Sequence, residues 1–95
     1  MVHVAHNVKL EKGVLLCAGV AIAGSSEIGA YTVFGGMSGM ADNCKIGSQC
    51  QVGGGAKITN DWPDKTILGG HPARPLKEWL RGVATLRKLT ESSKK

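Results

Sequence analysis

The sequence predicts an all-β fold, a parallel β-helix of hexapeptide repeats, followed by a single C-terminal α-helix. Two observations predict it: a large apolar residue recurs at every sixth position over residues 1–61, and an amphipathic stripe closes the chain. A period of six fits neither the 3.6-residue turn of an α-helix nor the alternation of an ordinary strand, but it is typical of a β-helix. Three hexapeptides form one coil, so we expect about three coils.

The hexapeptide pattern occupies residues 1–61 without an insertion. The residue after each large apolar one is small or short in nine of ten repeats, and the fourth residue after it is small or β-branched in nine of ten. We expect the large residues to point inward from short strands and the small ones to let the chain turn at corners. Fourteen glycines against four aromatic residues also indicate tight corners. The ten in-phase apolar residues are Val4, Leu10, Leu16, Ile22, Ile28, Phe34, Met40, Ile46, Val52 and Ile58.

A loop is predicted over residues 62–75, because this segment contains Asn, Asp, Gly and three prolines. The amphipathic helix is predicted over residues 76–92, with Pro75 at its first position. Its apolar stripe either packs on its own β-helix or packs against symmetry-related copies. The stripe consists of Leu76, Trp79, Leu80, Val83 and Leu86, continued by Leu89.

The net charge of +5 lies entirely in residues 74–95, since residues 1–73 carry equal numbers of acidic and basic side chains. This basic tail fits a nucleic acid, an acidic protein partner or a solvated helix. Nucleic acid is not expected, because the tail lacks interleaved aromatics and a known motif. No apolar run approaches the roughly 20 residues of a membrane span. The N-terminus resembles no secretory signal, so we expect a cytoplasmic protein with Cys17, Cys44 and Cys50 reduced.

Three motifs carry a resemblance to a known family: HVAHNV, CAGVAIAGSSEIG and GGHPARPLKEWLR. From Val2 to about Arg87 the chain resembles the C-terminal part of the UDP-3-O-acylglucosamine N-acyltransferases of lipid A biosynthesis. The resemblance implies a left-handed β-helix and a homotrimer. It also implies transfer of a 3-hydroxyacyl chain from acyl carrier protein to the amine of an amino sugar, without a cofactor.

The resemblance places a catalytic site near the N-terminus. It implies that His6 is the general base, that the N–H of Gly24 stabilises the oxyanion, and that His3 and Asn7 bind substrate beside the base. The repeat independently places Gly24 one coil after His6, because three hexapeptides separate them. The family's second histidine falls on Asn43, which forms hydrogen bonds but does not titrate as histidine does. We expect Arg74, Lys77 and Arg81, around the helix start, to meet the acidic carrier protein.

Two alternatives to an enzyme of this family are open. The family's separate uridine-binding domain and upstream coils have no counterpart in this sequence, which fits a non-catalytic trimeric scaffold that has lost the nucleotide-binding domain. The second alternative is a zinc-dependent protein resembling gamma-class carbonic anhydrases, whose ligands would come from His3, His6 and His71. We predict no metal site, because these histidines occupy different places relative to the repeat.

Overall fold

A computed structural model describes residues 1–93 and confirms a parallel β-helix followed by one C-terminal α-helix. Ten strands of two residues each follow the hexapeptide repeat, and each ends on one of the ten in-phase apolar residues. Two further strands precede the helix. The elements are β1 His3–Val4, β2 Lys9–Leu10, β3 Leu15–Leu16, β4 Ala21–Ile22, β5 Glu27–Ile28, β6 Val33–Phe34, β7 Gly39–Met40, β8 Lys45–Ile46, β9 Gln51–Val52, β10 Lys57–Ile58, β11 Ile67–Gly69, β12 Arg74–Pro75 and α1 Leu76–Ser93.

The strands stack into three sheets that form the sides of the coil. Sheet A has the order β1-β4-β7-β10, sheet B has β2-β5-β8, and sheet C has β3-β6-β9-β11 with β12 antiparallel at its edge. Partner residues within the hexapeptide coils are three hexapeptides apart in sequence, as in His3↔Ala21 and Leu16↔Phe34. Positions separated by one full coil therefore lie one above the other, about 4.8 Å apart.

The core lies inside the coil and is built by the in-phase residues, as predicted. Phe34, Ile22 and Ile28 are at most 1% exposed. The fully buried hydroxyls of Ser26 and Thr32 donate hydrogen bonds to backbone carbonyls at 2.9 Å, which offsets the cost of burying them. The first coil is more open, since its inward residues Val4 and Leu10 are each 42% exposed.

The segment predicted as a loop over residues 62–75 instead extends the β-helix towards a fourth coil. Trp62 bridges to Ile46, and β11 pairs in parallel with β9. The sequence interval between these partners is shorter than a full coil, because the step from Ile58 to Trp62 is shorter than a hexapeptide. The shortened step breaks the repeat, which is why the periodicity stops at Ile58. Pro75 lies in β12, directly before the helix rather than inside it.

The first turn of α1 packs on the end of sheet C. Leu76 is half-buried, and the Trp79 ring lies so close to Gly70 that a Cβ on this glycine would have no room beside the indole. Beyond this turn the helix leaves the β-helix, and Leu80, Leu86 and Leu89 are 49%, 67% and 63% exposed. The protein's own coil therefore covers only the start of the apolar stripe. Within residues 1–93, no helix combines the length and apolarity needed to cross a bilayer.

Candidate functional site

One corner of the β-helix, between sheets A and B, contains the three predicted catalytic residues and Asn7. We call it the His6 corner; it consists of residues 6–7, 24–25 and 42–43. The Ser25 N–H donates to the His6 carbonyl at 3.0 Å, and the Asn43 N–H donates to the Gly24 carbonyl at 3.1 Å. These bonds stack the three turns in register, so His6 and Gly24 occupy the same position in successive coils.

Gly24 presents an open position directly beside His6. A Cβ added at Gly24 would meet only the His6 carbonyl oxygen, at 3.3 Å, so the space beyond is empty. Within residues 1–93 the Gly24 N–H has no hydrogen-bond partner. A substrate oxygen can therefore approach this donor closely, as stabilisation of an oxyanion requires.

An unpaired corner N–H is not unique to Gly24 among the described residues. Gly36 occupies the corresponding corner position between sheets C and A, and its added Cβ would meet only the Ala18 carbonyl oxygen, at 3.5 Å. Its N–H is also unpartnered within the same range. The feature that distinguishes the His6 corner is the imidazole one coil below the glycine, where the other corner carries Ala18.

His3 and Asn7 lie on either side of His6, as the sequence indicates. His3 is in β1 and projects outward from sheet A, while Asn7 is the second residue of the corner, with φ 61°. All three side chains are exposed. They are available to a substrate at this corner, because no hydrogen bond or ion pair within residues 1–93 involves their side chains.

Asn43 occupies the third turn of the corner, with φ 56°. Its amide donates a long hydrogen bond of 3.4 Å to the carboxylate of Asp42, a residue that belongs to none of the motifs in the sequence. Burial, followed by the charges of Asp61 and Asp42, raises the pKa of the neighbouring Cys44 thiol. Cys44 therefore stays protonated at neutral pH and is not a nucleophile for this site.

A shallow cavity of about 340 Å³ lies on the outer face of sheet A beside this corner. Small residues form its floor, namely Ala21, Gly39 and Ala41, and Ala41 directly precedes Asp42. Lys57 and His71 lie at its far end. There the Lys57 N–H donates to the Gly70 carbonyl, and the Ala73 N–H donates to the Lys57 carbonyl. The sequence does not indicate this cavity, because its walls come from segments that are far apart in the chain and include none of the predicted catalytic residues.

The predicted carrier-binding residues lie away from the His6 corner within one protomer. Arg74 is in β12, and Lys77 and Arg81 are in the first turns of α1, which packs on sheet C. All three side chains are exposed, and Arg74 forms an exposed ion pair with Glu78 at 3.7 Å. One protomer therefore does not bring His6 close to Arg74, Lys77 and Arg81, which we call the basic group.

The three histidines do not form a metal site within one protomer. His3 and His6 belong to the first coil, whereas His71 lies against β10, about three coil spacings away. Among residues 1–93, no group of three His, Cys, Asp or Glu side chains is placed to hold a metal ion. This geometry does not favour the zinc alternative.

The fold is a left-handed β-helix of the type found in hexapeptide-repeat acyltransferases. The UDP-N-acetylglucosamine O-acyltransferase of Moraxella catarrhalis superposes with a TM-score of 0.75 at 30% identity, covering 97% of this chain and 38% of that one. A perosamine N-acetyltransferase from Caulobacter crescentus, crystallised with CoA and GDP-perosamine, gives 0.71 at 26% identity over 72% of this chain and 32% of that one.

The sequence comparisons confirm the resemblance to the UDP-3-O-acylglucosamine N-acyltransferases. The protein of that name from Methylorubrum extorquens is 36% identical over 95 residues, which is 100% of this chain and 27% of the relative. That from a Caulobacter species is 42% identical over 86 residues, 90% of this chain and 25% of the relative. The match falls in the relatives' C-terminal part, and the chain spans about a quarter of their length.

No protein-family model matches the chain. The named relatives and structures are acyltransferases, which favours an acyltransferase-like protein over the carbonic anhydrase and scaffold alternatives.

Proposed function

We propose that this protein transfers a 3-hydroxyacyl chain from acyl carrier protein to the amine of an amino sugar, with His6 as general base and the Gly24 N–H as oxyanion donor. The observation that carries the proposal is the stacking of His6 and Gly24 one coil apart, with an unpartnered N–H and no side chain at Gly24. The proposal includes a cytoplasmic location for the reaction.

The chemistry follows from the two groups. A neutral imidazole removes a proton from the attacking amine, whose nitrogen forms a bond to the thioester carbonyl carbon. The carbonyl oxygen gains negative charge and accepts a hydrogen bond from Gly24. When the C–S bond breaks, the imidazolium returns the proton to the departing thiolate. In this proposal Asn7 and His3 hold the acceptor beside the base, and the extended thioester lies along the floor of the sheet A cavity.

Mass spectrometry of the product tests this function directly. The protein is incubated with 3-hydroxyacyl carrier protein and a panel of amino sugars that includes a UDP-linked 2-amino sugar acylated at O3. We expect an N-acylated sugar whose mass exceeds that of the acceptor by the acyl group. A scaffold would leave both substrates unchanged under the same conditions.

The basic group at the helix start supplies a docking surface for the carrier. Lys77 and Arg81 are exposed, and Lys77 lines a cavity of about 330 Å³ with Lys65 and Ile67. A partner with an acidic surface would be attracted to this group. Charges at the rim of an interface mainly raise the association rate, and salt screens them.

The double charge reversal Lys77→Glu with Arg81→Glu is expected to lower the association rate with acyl carrier protein by about tenfold at low salt. The difference should shrink as ionic strength rises. Surface plasmon resonance at two salt concentrations measures both effects. Lys9→Glu with Lys12→Glu changes the net charge equally on the first coil and serves as the control; equal effects of the two pairs would contradict a local docking surface.

The exposed part of the helix supports a homotrimer. Most of a helix's stability in a protein comes from packing of its apolar face, yet most of this apolar stripe is exposed within one protomer. A closed threefold assembly covers such a surface without leaving an open end. In this proposal the carrier docks on Arg74, Lys77 and Arg81 of one subunit, and its acyl chain reaches the His6 corner of a neighbouring subunit.

Leu86→Glu is therefore expected to reduce the trimer to monomers at micromolar concentration, because it places a charge in the apolar stripe. Multi-angle light scattering measures the mass. Thr85→Glu introduces the same charge at the preceding position, on the polar side of the helix, and should leave the trimer intact. A monomeric wild-type protein would overturn the assembly.

A further inference from the structure

We propose that the carboxylate of Asp42 is a specificity-determining group that holds the acceptor amine as an ammonium ion. The ammonium ion would lie in the open space beside Gly24, which we call the slot. The inference rests on the proposed transfer to an amine and adds the group that selects the acceptor. Nothing in the resemblance assigns a role to Asp42.

The first support is positional. His6, Gly24 and Asp42 are the first corner residues of three successive coils, since each is one full coil from the next and the corner hydrogen bonds join them. Equivalent positions of stacked coils project in the same direction, so His6 and Asp42 flank Gly24 at a backbone separation of about 10 Å. Because Gly24 has no side chain, the space between the imidazole and the carboxylate is open.

The second support is that no cation within residues 1–93 forms an ion pair with Asp42. The ion pairs within residues 1–93 are Lys45–Glu27 and Arg74–Glu78, so neither includes Asp42. Its side-chain partner is the Asn43 amide, through the long bond of 3.4 Å. An exposed carboxylate in this state accepts a hydrogen bond from an incoming ammonium group.

The chemistry fits the step that precedes attack. An amine binds as the ammonium ion, and the carboxylate favours that form. One proton of the bound ammonium ion passes to solvent, and the neutral amine then attacks the carbonyl held by Gly24 while His6 accepts a second proton from its nitrogen. A hydroxyl acceptor carries no positive charge, so Asp42 gives it no comparable advantage.

Binding of simple sugars tests the site without an acyl donor. ¹⁵N-labelled protein is titrated with glucosamine and with N-acetylglucosamine at a pH where the free amine is protonated, and the amide signals of Gly24, Ser25 and Asn43 are followed. Glucosamine is expected to shift them, and Asp42→Asn to weaken its binding about fivefold. Glu11→Gln neutralises another exposed carboxylate of the chain and should match wild type. Equal shifts with both sugars, or wild-type binding by Asp42→Asn, would overturn the inference.

A kinetic arm separates this inference from the proposed function. In acyl transfer, Asp42→Asn should raise KM for the amino acceptor while largely preserving kcat, whereas loss of the base lowers kcat. Glucosamine binding without any transfer would contradict the proposed function alone. Transfer by wild type with an unchanged KM in Asp42→Asn would contradict the role of Asp42 alone.

Discussion

His6→Ala is expected to lower acyl transfer by roughly 10²- to 10⁴-fold, because the attacking amine would lose the group that accepts its proton. The residue is exposed and no hydrogen bond within residues 1–93 depends on its side chain, so the melting temperature should stay close to that of wild type. Steady-state transfer from 3-hydroxyacyl carrier protein measures the first effect and thermal unfolding the second.

Lys12→Ala provides the matched control for the loss of His6. Lys12 is the first residue of the next corner in the same coil, and its ammonium lies 6.0 Å from the centre of the Tyr31 ring. Its removal takes away an exposed side chain from an equivalent backbone position and should leave transfer unchanged. A His6→Ala variant as active as Lys12→Ala would exclude His6 as the base.

Gly24→Leu is expected to lower kcat/KM by about 10²-fold or more, because the new side chain fills the slot in which the carbonyl must lie against the N–H. The backbone donor itself is retained, so the loss would come from blocked access. Gly36→Leu is the control, since its surroundings are almost the same, with one carbonyl oxygen at 3.5 Å rather than 3.3 Å from an added Cβ. Both variants should fold, and equal activities would place the reaction elsewhere.

Much of the fold could be predicted because one repeating signal specifies it. The apolar residue at every sixth position predicts the short strands, the inward direction of the apolar side chains and the coil of three hexapeptides. The structure confirms all ten strands over residues 3–58. The strand β11 could not be predicted in the same way. Its phase is set by the shortened step from Ile58 to Trp62, and a single irregular step has no period from which to extend the pattern.

The positions of the candidate site that stack one full coil apart could be predicted from the repeat. The cavity beside them could not, because it depends on contacts between distant segments. One full coil leads from His6 to Gly24 and a second leads to Asp42, so the same repeat carries the signal for all three positions. The cavity that ends at Lys57 and His71 is different. It depends on the path of residues 70–73 beside β10, which long-range backbone hydrogen bonds fix and no local pattern encodes.

The stacking of corners restricts how this site can change during evolution. Because each corner turn bonds to the one a full coil earlier, the separation between a base and a donor can vary only in whole steps of about 4.8 Å. Residues inserted at another corner, such as that at Ala30–Tyr31, would bulge into solvent and leave the sheets in register. Sequence length at the surface can therefore drift freely, while the distance between His6 and Gly24 stays constant unless an entire coil is gained or lost.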